Sequence, residues 1–323
     1  MWRALELARR ASGGVSPNPA VGAVVVRDGA VVGEGYTQPP GGPHAEVVAL
    51  RQAGEAAGGA VMYVSLEPCC HYGRTPPCTR AIIDAGVAEV HVAMLDPDAH
   101  VDGKGEQELK AASIRVHVGE GEAEARRLNE AYIKHRTSGL PFVIARFAAS
   151  LDGRIAAASG DSCWVSGPQA REWAHRLRTE VDAIAVGVNT VLVDDPLLTA
   201  RPGGSEAGAR QPRRVVVDSR GRTPATARVL TGPARTLIAT TGRSDPAWRR
   251  RVTVAGAEVV VLPEKDGRVD LAALLRELGR RDVLSLLVEG GGVLLGSFFD
   301  GRLGDKVAAI IAPMVIGAAN APA

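Results

Sequence analysis

One short segment, residues 44–78, constrains this chain more than any other feature of its sequence. It contains His44 and Glu46. Further along are two cysteines, Cys69 and Cys78, and each cysteine directly follows a proline. One imidazole and two thiolates make a three-ligand zinc set, which leaves a fourth coordination position open for chemistry. The fold must therefore bring side chains that are far apart in the sequence to one point.

Glu46 indicates that this zinc site is catalytic. A closed structural zinc site uses four ligands and needs no neighbouring acid. Zinc deaminases combine His-x-Glu with a later Pro-Cys-x-x-Cys, and their glutamate transfers protons without binding the metal. Here the second half is longer, because eight residues separate Cys69 from Cys78. The pattern predicts a zinc deaminase in which His44, Cys69 and Cys78 bind the metal and Glu46 is the catalytic acid and base.

Simpler interpretations apply to each residue taken alone. An isolated histidine or cysteine packs in a core more often than it binds a metal. Adjacent side chains point in different directions, so Cys69 and Cys70 are not expected to bind the same ion. We therefore interpret Cys70 as a bystander.

Three blocks in this half, residues 16–24, 42–46 and 66–78, resemble the deaminase half of the RibD family of bifunctional riboflavin biosynthesis enzymes. The family usually has serine at the place of Cys70. The resemblance implies a cytidine-deaminase-like fold. It also implies three residues that orient the substrate: Asn18, His71 and Arg74.

Composition limits the class of protein. At 323 residues and 46% hydrophobic content, the chain can fill two cores. A formal net charge of +2 and 4% aromatic residues argue against a nucleic-acid partner. Three of the four cysteines lie in the metal segment, so a disulfide framework is not expected. We therefore expect the protein to work in the reducing cytoplasm. No apolar stretch approaches the roughly 20 residues of a membrane span, and the N-terminus does not read as a signal peptide.

The first half alternates strand and helix patterns. Asp28-Gly29 between two apolar runs predicts a β-hairpin, and a helix is expected to begin near His44. Further strands are expected at 61–65, 87–94 and 115–118, with helices at 79–85 and 107–112. The alternation predicts a mostly parallel or mixed sheet between helices, a three-layer α/β domain.

One polar helix is expected from Glu120 to Arg136, and turn residues follow it. These residues place a domain boundary after residue 139. The first domain is predicted at 1–139 and the second at 140–323.

Five blocks of the second half resemble the reductase half of the same family, which has a dihydrofolate-reductase-like α/β fold. They are residues 142–156, 160–166, 182–201, 215–221 and 286–298. The resemblance thus covers nearly the whole chain and implies NADPH as a second cofactor. The matching cofactor-binding positions are Ala148, Trp164, Thr190, Asp194, Ser219, Gly291, Gly292, Val293, Leu294, Leu295, Gly296 and Ser297. The matching substrate-binding positions are Ser162, Arg178, Leu198, Arg201 and Glu289.

Without the resemblance, these residues are less decisive. The glycine triplet 290–292 is either a pyrophosphate-binding turn at a helix N-terminus or simply a tight turn. Arg178 and Arg201 either clamp a phosphate or are solvated surface charges. Glu289 either binds polar groups of a pyrimidine or caps a helix, and Trp164 either lines a cofactor pocket or fills core space.

The combined interpretation is an enzyme that acts twice on one intermediate of riboflavin synthesis. The resemblance implies that the first domain, with one zinc ion, hydrolytically deaminates 2,5-diamino-6-(5-phosphoribosylamino)pyrimidin-4(3H)-one. The second domain is then expected to reduce the ribosyl group of the product to ribityl with NADPH. The expected substrate is a small phosphorylated pyrimidine, and the resemblance also suggests a homo-oligomer.

Three alternatives stay open at this point. A nucleoside or nucleic-acid deaminase would keep the zinc motif but would give the second half no role. A non-enzymatic zinc-stabilised protein would keep the ligands and would not need Glu46. The third is a deaminase with an impaired reductase domain, because Asp305–Ala323 resembles a strand and turn that further residues follow in the family. The reductase domain is accordingly expected to be short at its C-terminus, with a sheet edge open to solvent or completed by another subunit.

Overall fold

The structure, a computed structural model, describes residues 1–73, 75–158, 166–317 and 321–322. It divides the chain into two compact units, Met1–Gly139 and Leu140–Ala323, each with its own main sheet. Of the helices formed by the described residues, none has both the length and the apolar character that a bilayer crossing requires.

The first unit alternates helices and strands along the chain. Its helices are α1 (Trp2–Ala11), α2 (Ala45–Ala53), α3 (Cys78–Asp84), α4 (Lys104–Ala111), α5 (Glu122–Leu128) and α6 (Glu130–Ser138). Its strands are β1 (Gly22–Arg27), β2 (Ala30–Tyr36), β3 (Val61–Val64), β4 (Glu89–Val92) and β5 (Arg115–Val118). A 3-10 turn, Gly54–Ala57, follows α2 directly.

The five strands form one mixed sheet in the order β2-β1-β3-β4-β5. Strand β1 runs antiparallel to β2 and β3, whereas β3, β4 and β5 are parallel to one another. The turn of the expected hairpin uses Asp28 at φ 51° and Gly29 at φ 79°, the left-handed conformations that suit a tight hairpin. The expected mixed α/β sheet is confirmed.

Two glycines let helices pack closely on both faces of this sheet. A Cβ on Gly22 would lie 2.0 Å from the carbonyl oxygen of Ala4 in α1, and one on Gly35 would lie 2.2 Å from that of Ala45 in α2. Gly22 is paired with Tyr36, the neighbour of Gly35, so the two glycines point to opposite faces. Helices α1 and α2 therefore form the outer two of three layers.

The single polar helix expected from Glu120 to Arg136 is wrong, because two helices, α5 and α6, meet at Asn129. Asn129 has φ −114° and ψ 19°, outside the helical range. Its side-chain amide accepts a hydrogen bond from the Ala20 N–H at 2.9 Å and donates one to the Ala20 carbonyl at 3.1 Å. The break therefore depends on a partner distant in sequence, which helix periodicity does not reveal.

The second unit also alternates strands and helices. Its helices are α7 (Pro168–Glu180), α8 (Val188–Asp194), α9 (Pro246–Val254), α10 (Leu271–Gly279) and α11 (Gly292–Asp300). Its strands are β6 (Phe142–Ser150), β7 (Ala183–Gly187), β8 (Arg213–Val217), β9 (Thr236–Thr240), β10 (Ala257–Val261), β11 (Glu264–Lys265), β12 (Arg268–Val269), β13 (Ser285–Val288) and β14 (Lys306–Ala312). Two 3-10 turns lie at Pro202–Gly204 and Arg228–Leu230.

The main sheet of this unit has seven strands in the order β10-β9-β8-β7-β13-β6-β14, and every neighbouring pair is parallel. Strands buried on both faces are apolar throughout, as in the Leu286-Leu287-Val288 part of β13. The carboxyl ends of parallel strands lie at one edge, where ligands bind in open sheets of this kind. The residues that follow β7, β8 and β13 meet at that edge.

Candidate zinc centre and reductase cavity

Three separate elements bring the expected zinc ligands together. His44 immediately precedes α2, Cys78 is the first residue of α3, and Cys69 lies in the segment after β3. Helices α2 and α3 pack against each other. The residues at their N-termini, where the helix dipole is positive, therefore share one site.

The ligand atoms are spaced as a zinc ion requires. His44 Nδ1 lies 3.5 Å from Cys69 Sγ and 3.3 Å from Cys78 Sγ. Zinc bonds of ~2.0 Å to nitrogen and ~2.3 Å to sulfur place tetrahedral ligand atoms about 3.5 Å apart. All three ligand atoms lie within 4.8 Å of one another. The donor set and its spacing therefore fit zinc.

The two thiols share a proton in an arrangement that suits a cation. A hydrogen bond from the Cys78 thiol lowers the pKa of Cys69 well below its usual range, and the hydrogen bond with His44 acts in the same direction. The backbone N–H of Cys78 also donates to Cys69 Sγ at 3.4 Å. Because the Cys78 thiol donates that proton and is buried, its own pKa is raised. A divalent cation would replace the shared proton and hold both sulfurs as thiolates.

Glu46 lies beside these ligands in the first turn of α2 and is only 4% exposed. Burial, together with the negative charge of Cys69, raises the pKa of Glu46 to about 7. A carboxyl group with a pKa near neutrality can both accept and return a proton. The position and protonation of Glu46 therefore suit a general acid and base.

Thr75 is a residue of this centre that sequence reasoning missed. Its Oγ1 lies 3.3 Å from His44 Nε2, which leaves His44 Nδ1 to face the two sulfurs. Partners of this kind fix the tautomer and the ring orientation of metal-ligating histidines. No spacing rule singles out a threonine in this segment, so the sequence contained no signal for it.

Glu67 belongs to the block of residues 66–78, and it holds a neighbouring loop rather than the metal. Its buried carboxylate accepts backbone N–H groups of Asp96, Gly103 and Glu106, each at 3.0 Å. Glu67 therefore anchors the loop that connects β4 to α4. Glu67 itself lies two residues before Cys69 in the chain.

Cys70 and His71 do not belong to the cluster of His44, Cys69 and Cys78. The Cys70 thiol faces the His100 carbonyl at 3.9 Å. His71 is exposed, and its ring centroid lies 6.0 Å from that of His100. Asn18 is half-buried in the loop between α1 and β1, and Arg74 lies outside the described residues.

A cavity of about 340 Å³ lies in the second unit. Its lining residues are Arg146, Ser166, Arg171, Ala174, His175, Arg178, Pro196, Leu197, Leu198, Arg201 and Arg228. Three expected substrate-binding residues, Arg178, Leu198 and Arg201, are thus brought together. The five lining guanidinium groups suit an anionic ligand such as a phosphate ester.

Glu289 is held at this cavity by two of the arginines. Arg178 Nε donates to Glu289 Oε1 at 3.0 Å and Arg178 Nη2 donates to Oε2 at 2.6 Å, while Arg146 Nη1 lies 3.6 Å from Oε2. Burial opposes ionisation, but the charge and hydrogen bonds of Arg178 keep the pKa of Glu289 below its usual range. Arg178 therefore directs its bidentate face to Glu289, whereas the sequence left it as either a phosphate clamp or a solvated surface charge.

His175 is a lining residue that sequence reasoning also missed. Its Nδ1 accepts the backbone N–H of Arg201 at 3.2 Å, which leaves Nε2 as the protonated nitrogen. Burial lowers the pKa of His175, and the charges of Arg178 and Arg201 lower it further. The imidazole is therefore neutral at pH 7 and offers one hydrogen-bond donor.

The expected cofactor-binding residues lie along the strand ends and the helices that follow them. Ala148 is in β6, Thr190 and Asp194 are in α8, and Ser219 follows β8, where its Oγ accepts the Val269 N–H at 3.0 Å. Thr190 and Ser219 thus follow the carboxyl ends of β7 and β8, whereas Asp194 is the last residue of α8. Trp164 and the substrate-binding candidate Ser162 lie outside the described residues.

The glycine-rich turn leads into α11. Gly291 precedes this helix, and Gly292, Val293, Gly296 and Ser297 belong to its first turns. Leu294 and Leu295 pack in the hydrophobic core of the unit, and their backbone N–H groups donate to the Gly291 carbonyl at 3.1 and 3.3 Å.

Comparisons with known proteins cover both halves. Residues 1–94 match the family model of the cytidine and deoxycytidylate deaminase zinc-binding region, and residues 141–323 match that of the RibD C-terminal domain. The riboflavin biosynthesis protein RibD of Escherichia coli (strain K12) is 43% identical over an alignment that covers 98% of this chain and 88% of that protein. RibD of Aquifex aeolicus (strain VF5) is also 43% identical, over 98% of this chain and 87% of that protein.

Two solved structures share the architecture. Acinetobacter baumannii RibD, form 1, matches with a TM-score of 0.90 at 39% identity, covering 100% of this chain and 88% of that one. The diaminohydroxyphosphoribosylaminopyrimidine deaminase/5-amino-6-(5-phosphoribosylamino)uracil reductase of Thermotoga maritima matches with a TM-score of 0.87 at 36% identity, covering 98% and 87%. The expected cytidine-deaminase-like and dihydrofolate-reductase-like folds, and zinc and NADPH as cofactors, are confirmed. The chain therefore belongs to the RibD family of riboflavin biosynthesis enzymes, which join a zinc-dependent deaminase to a reductase.

Proposed function

We propose that the two units catalyse consecutive steps on one small phosphorylated pyrimidine. The first unit hydrolytically deaminates 2,5-diamino-6-(5-phosphoribosylamino)pyrimidin-4(3H)-one. The second unit reduces the ribosyl group of the deaminated product to ribityl with NADPH. The observation that carries the proposal is that one chain holds both a His44, Cys69 and Cys78 cluster beside a buried Glu46 and an arginine-lined cavity.

In the deamination, His44, Cys69 and Cys78 hold the metal and Glu46 moves protons. Zinc, when bound, supplies Lewis acidity that makes a water molecule acidic near neutral pH. Glu46, with a pKa of about 7, carries the two protons of the attacking water in turn, one to the ring nitrogen and the other to the leaving amine, which departs as ammonia. Thr75 keeps the His44 ring in the orientation that this arrangement needs.

In the reduction, the side chains of the second unit bind and orient the substrate. NADPH supplies the hydride. The cavity arginines other than Arg146 and Arg178, which hold Glu289, neutralise the substrate phosphate, and ionised Glu289 accepts hydrogen bonds from the ribose hydroxyls or the ring N–H groups. Neutral His175 donates a hydrogen bond within the same cavity. Holding the sugar against the cofactor in this way is a large part of the rate enhancement that such a site can provide.

We extend the proposal to partners and location. The small net charge of +2 and the 4% aromatic content support a small-molecule substrate rather than a nucleic acid. The free cysteines Cys69, Cys70 and Cys78 support a reducing, cytoplasmic location. Self-association is proposed from the family resemblance.

A substrate panel tests the proposed function. The purified chain is given the phosphorylated diaminopyrimidine, cytidine or single-stranded DNA, with and without NADPH, while ammonia release and NADPH oxidation are measured. We expect ammonia from the pyrimidine phosphate alone, followed by NADPH oxidation. Faster ammonia release from cytidine or DNA would instead support the nucleoside or nucleic-acid deaminase.

A further inference from the structure

A second cluster of metal-ligating side chains lies on the first unit, apart from the His44 cluster. Strands β4 and β5 are parallel neighbours, and their register pairs Glu89 with Arg115 and His91 with His117. Alternate residues of a strand point to the same face, so Glu89, His91 and His117 share one face of the sheet. Tyr63 of β3 stacks on His91 at 4.7 Å between ring centroids, and His91 stacks on His117 at 4.8 Å.

From this cluster we propose a second site for a divalent transition-metal ion, with Glu89, His91 and His117 as its ligands. Glu89 Oε1 lies 2.8 Å from His91 Nε2 and 3.5 Å from His117 Nε2. One ligand atom from each residue falls within 4.8 Å of the other two. A tetrahedral zinc site with bonds of ~2.0 Å to nitrogen and oxygen has ligand atoms about 3.3 Å apart. The two distances from Glu89 Oε1 to the histidine nitrogens, 2.8 and 3.5 Å, lie on either side of that value.

Two charged neighbours already orient the ligands. Arg115 Nε and Nη2 bind Glu89 Oε2 at 3.0 and 2.7 Å, which leaves Oε1 to face the imidazoles. Glu120 Oε2 lies 3.8 Å from His91 Nδ1. The other ring nitrogen, Nε2, donates a hydrogen bond to Glu89 Oε1 at 2.8 Å, and a bound ion would take the place of that proton. A carboxylate behind a ligating histidine is the common outer arrangement of metal sites.

A simple ion pair does not account for the whole cluster. The pair of Glu89 and His91 needs only one imidazole, yet His117 directs a second one to the same carboxylate oxygen. The His117 side chain is 57% exposed, so solvent can reach the site and complete the coordination of an ion. A metal ion uses both imidazoles together.

The donor set decides the class of ion. Two imidazoles and one carboxylate suit Zn²⁺, Ni²⁺ or Cu²⁺, whereas Ca²⁺ and Mg²⁺ prefer oxygen ligands. The positive charge of Arg115 weakens the attraction, so this site binds less tightly than the His44 cluster. Because β5 is the edge strand of its sheet, a bound ion joins that edge to β4.

Calorimetric titration of the full chain, already loaded with one zinc per chain, tests the proposal. Added Zn²⁺ or Ni²⁺ is expected to occupy one further site, and ion binding should raise the unfolding temperature. His91→Gln and His117→Gln should weaken this second binding at least about tenfold and reduce the temperature shift. His117→Gln carries the test if the less exposed His91 variant fails to fold.

His100→Gln is the matched control. His100 pairs with Asp98 at 2.7 Å, as His91 pairs with Glu89, but it belongs to neither three-ligand cluster of the described residues. This variant should bind the second ion as the unaltered chain does. A chain that takes up no second ion, or a second affinity that is the same in His117→Gln, would overturn the proposal.

Discussion

The hydroxyl group of Thr75 controls how His44 is presented to the metal. Thr75→Val keeps the size of the side chain and removes the 3.3 Å contact between Thr75 Oγ1 and His44 Nε2. We expect zinc binding to weaken about 10- to 100-fold, the usual effect of losing an outer partner of a metal-ligating histidine. Competition with a chromogenic zinc chelator measures the change.

Cys70→Ser is the control for that experiment, because it alters a thiol of the same segment outside the cluster. It should keep about one zinc per chain, whereas Cys69→Ser should lose the metal. Zinc loss from the Cys70 variant, or unchanged affinity in the Thr75 variant, would contradict the arrangement described here.

Asp96 is expected to make the stability of the first unit depend on pH. Burial raises the pKa of Asp96 to about 6, although its carboxylate accepts hydrogen bonds from the Asp98 N–H and the Tyr132 hydroxyl. A raised pKa means that the folded state binds the proton more tightly than the unfolded state. The resulting stabilisation is complete below the unfolded value of 3.8 and is lost as the pH rises through about 6.

Asp96→Asn removes this titration and leaves an acceptor for Tyr132. The unfolding free energy of the unaltered chain minus that of the variant should fall by up to about 3 kcal/mol between roughly pH 4 and pH 6.5. Urea unfolding of both chains across that range measures the difference. If the difference in unfolding free energy between the two chains does not change with pH, burial does not raise the pKa of Asp96.

Sequence and structure agree best for residues whose chemistry depends on local spacing. His44, Glu46 and the two ligating cysteines could be predicted because a motif specifies them. Arg146 and His175 could not, because each is an isolated polar residue until β13 brings Glu289 beside Arg146 and the Arg201 backbone meets His175. Contacts over such sequence distances leave no periodic signal.

At the scale of elements, Gly35 determines how closely α2 approaches the sheet. An added Cβ would lie 2.2 Å from the Ala45 carbonyl oxygen, so Gly35→Ala must displace the start of the helix that carries Glu46. We expect a loss of about 1–3 kcal/mol of unfolding free energy and a lower zinc content. Denaturant unfolding and zinc analysis measure the two effects.

Gly14→Ala provides the comparison, because a Cβ there would meet only the Ala11 carbonyl oxygen at an ordinary 3.6 Å. That variant should keep its zinc and its stability to within about 0.5 kcal/mol. Equal losses in both variants would mean that close packing at Gly35 is not the cause.

One strand could be predicted to the residue, whereas one helix could not. Strand β5 was expected at 115–118 and is found at Arg115–Val118, because turn signals bound a short apolar pattern. The expected helix at residues 120–136 failed at Asn129, where a tertiary hydrogen bond outweighs helix propensity. Helix propensity is therefore a weak guide wherever a polar side chain finds a distant backbone partner.

At the scale of the whole molecule, the two chemistries should be separable. Glu46→Gln should lower deamination at least about 100-fold and spare the reduction of supplied deaminated substrate. Arg178→Lys loses the bidentate pairing with Glu289, so it should lower reduction at least about tenfold and spare deamination. Ammonia release and NADPH oxidation, measured separately, distinguish the two; parallel losses of both activities in either folded variant would contradict two independent sites.

The order of strands in the two sheets has a consequence for synthesis on the ribosome. In the first unit, neighbouring strands mostly follow one another along the chain, so each can pair soon after it emerges. In the second unit, β6 is made first but pairs with β13 and β14, with Phe142 opposite Ser285 and Ile144 opposite Lys306. Strand β6 must therefore wait, unpaired and apolar, while most of its unit is translated. Nascent chains paused within this interval are where chaperone binding is expected to concentrate.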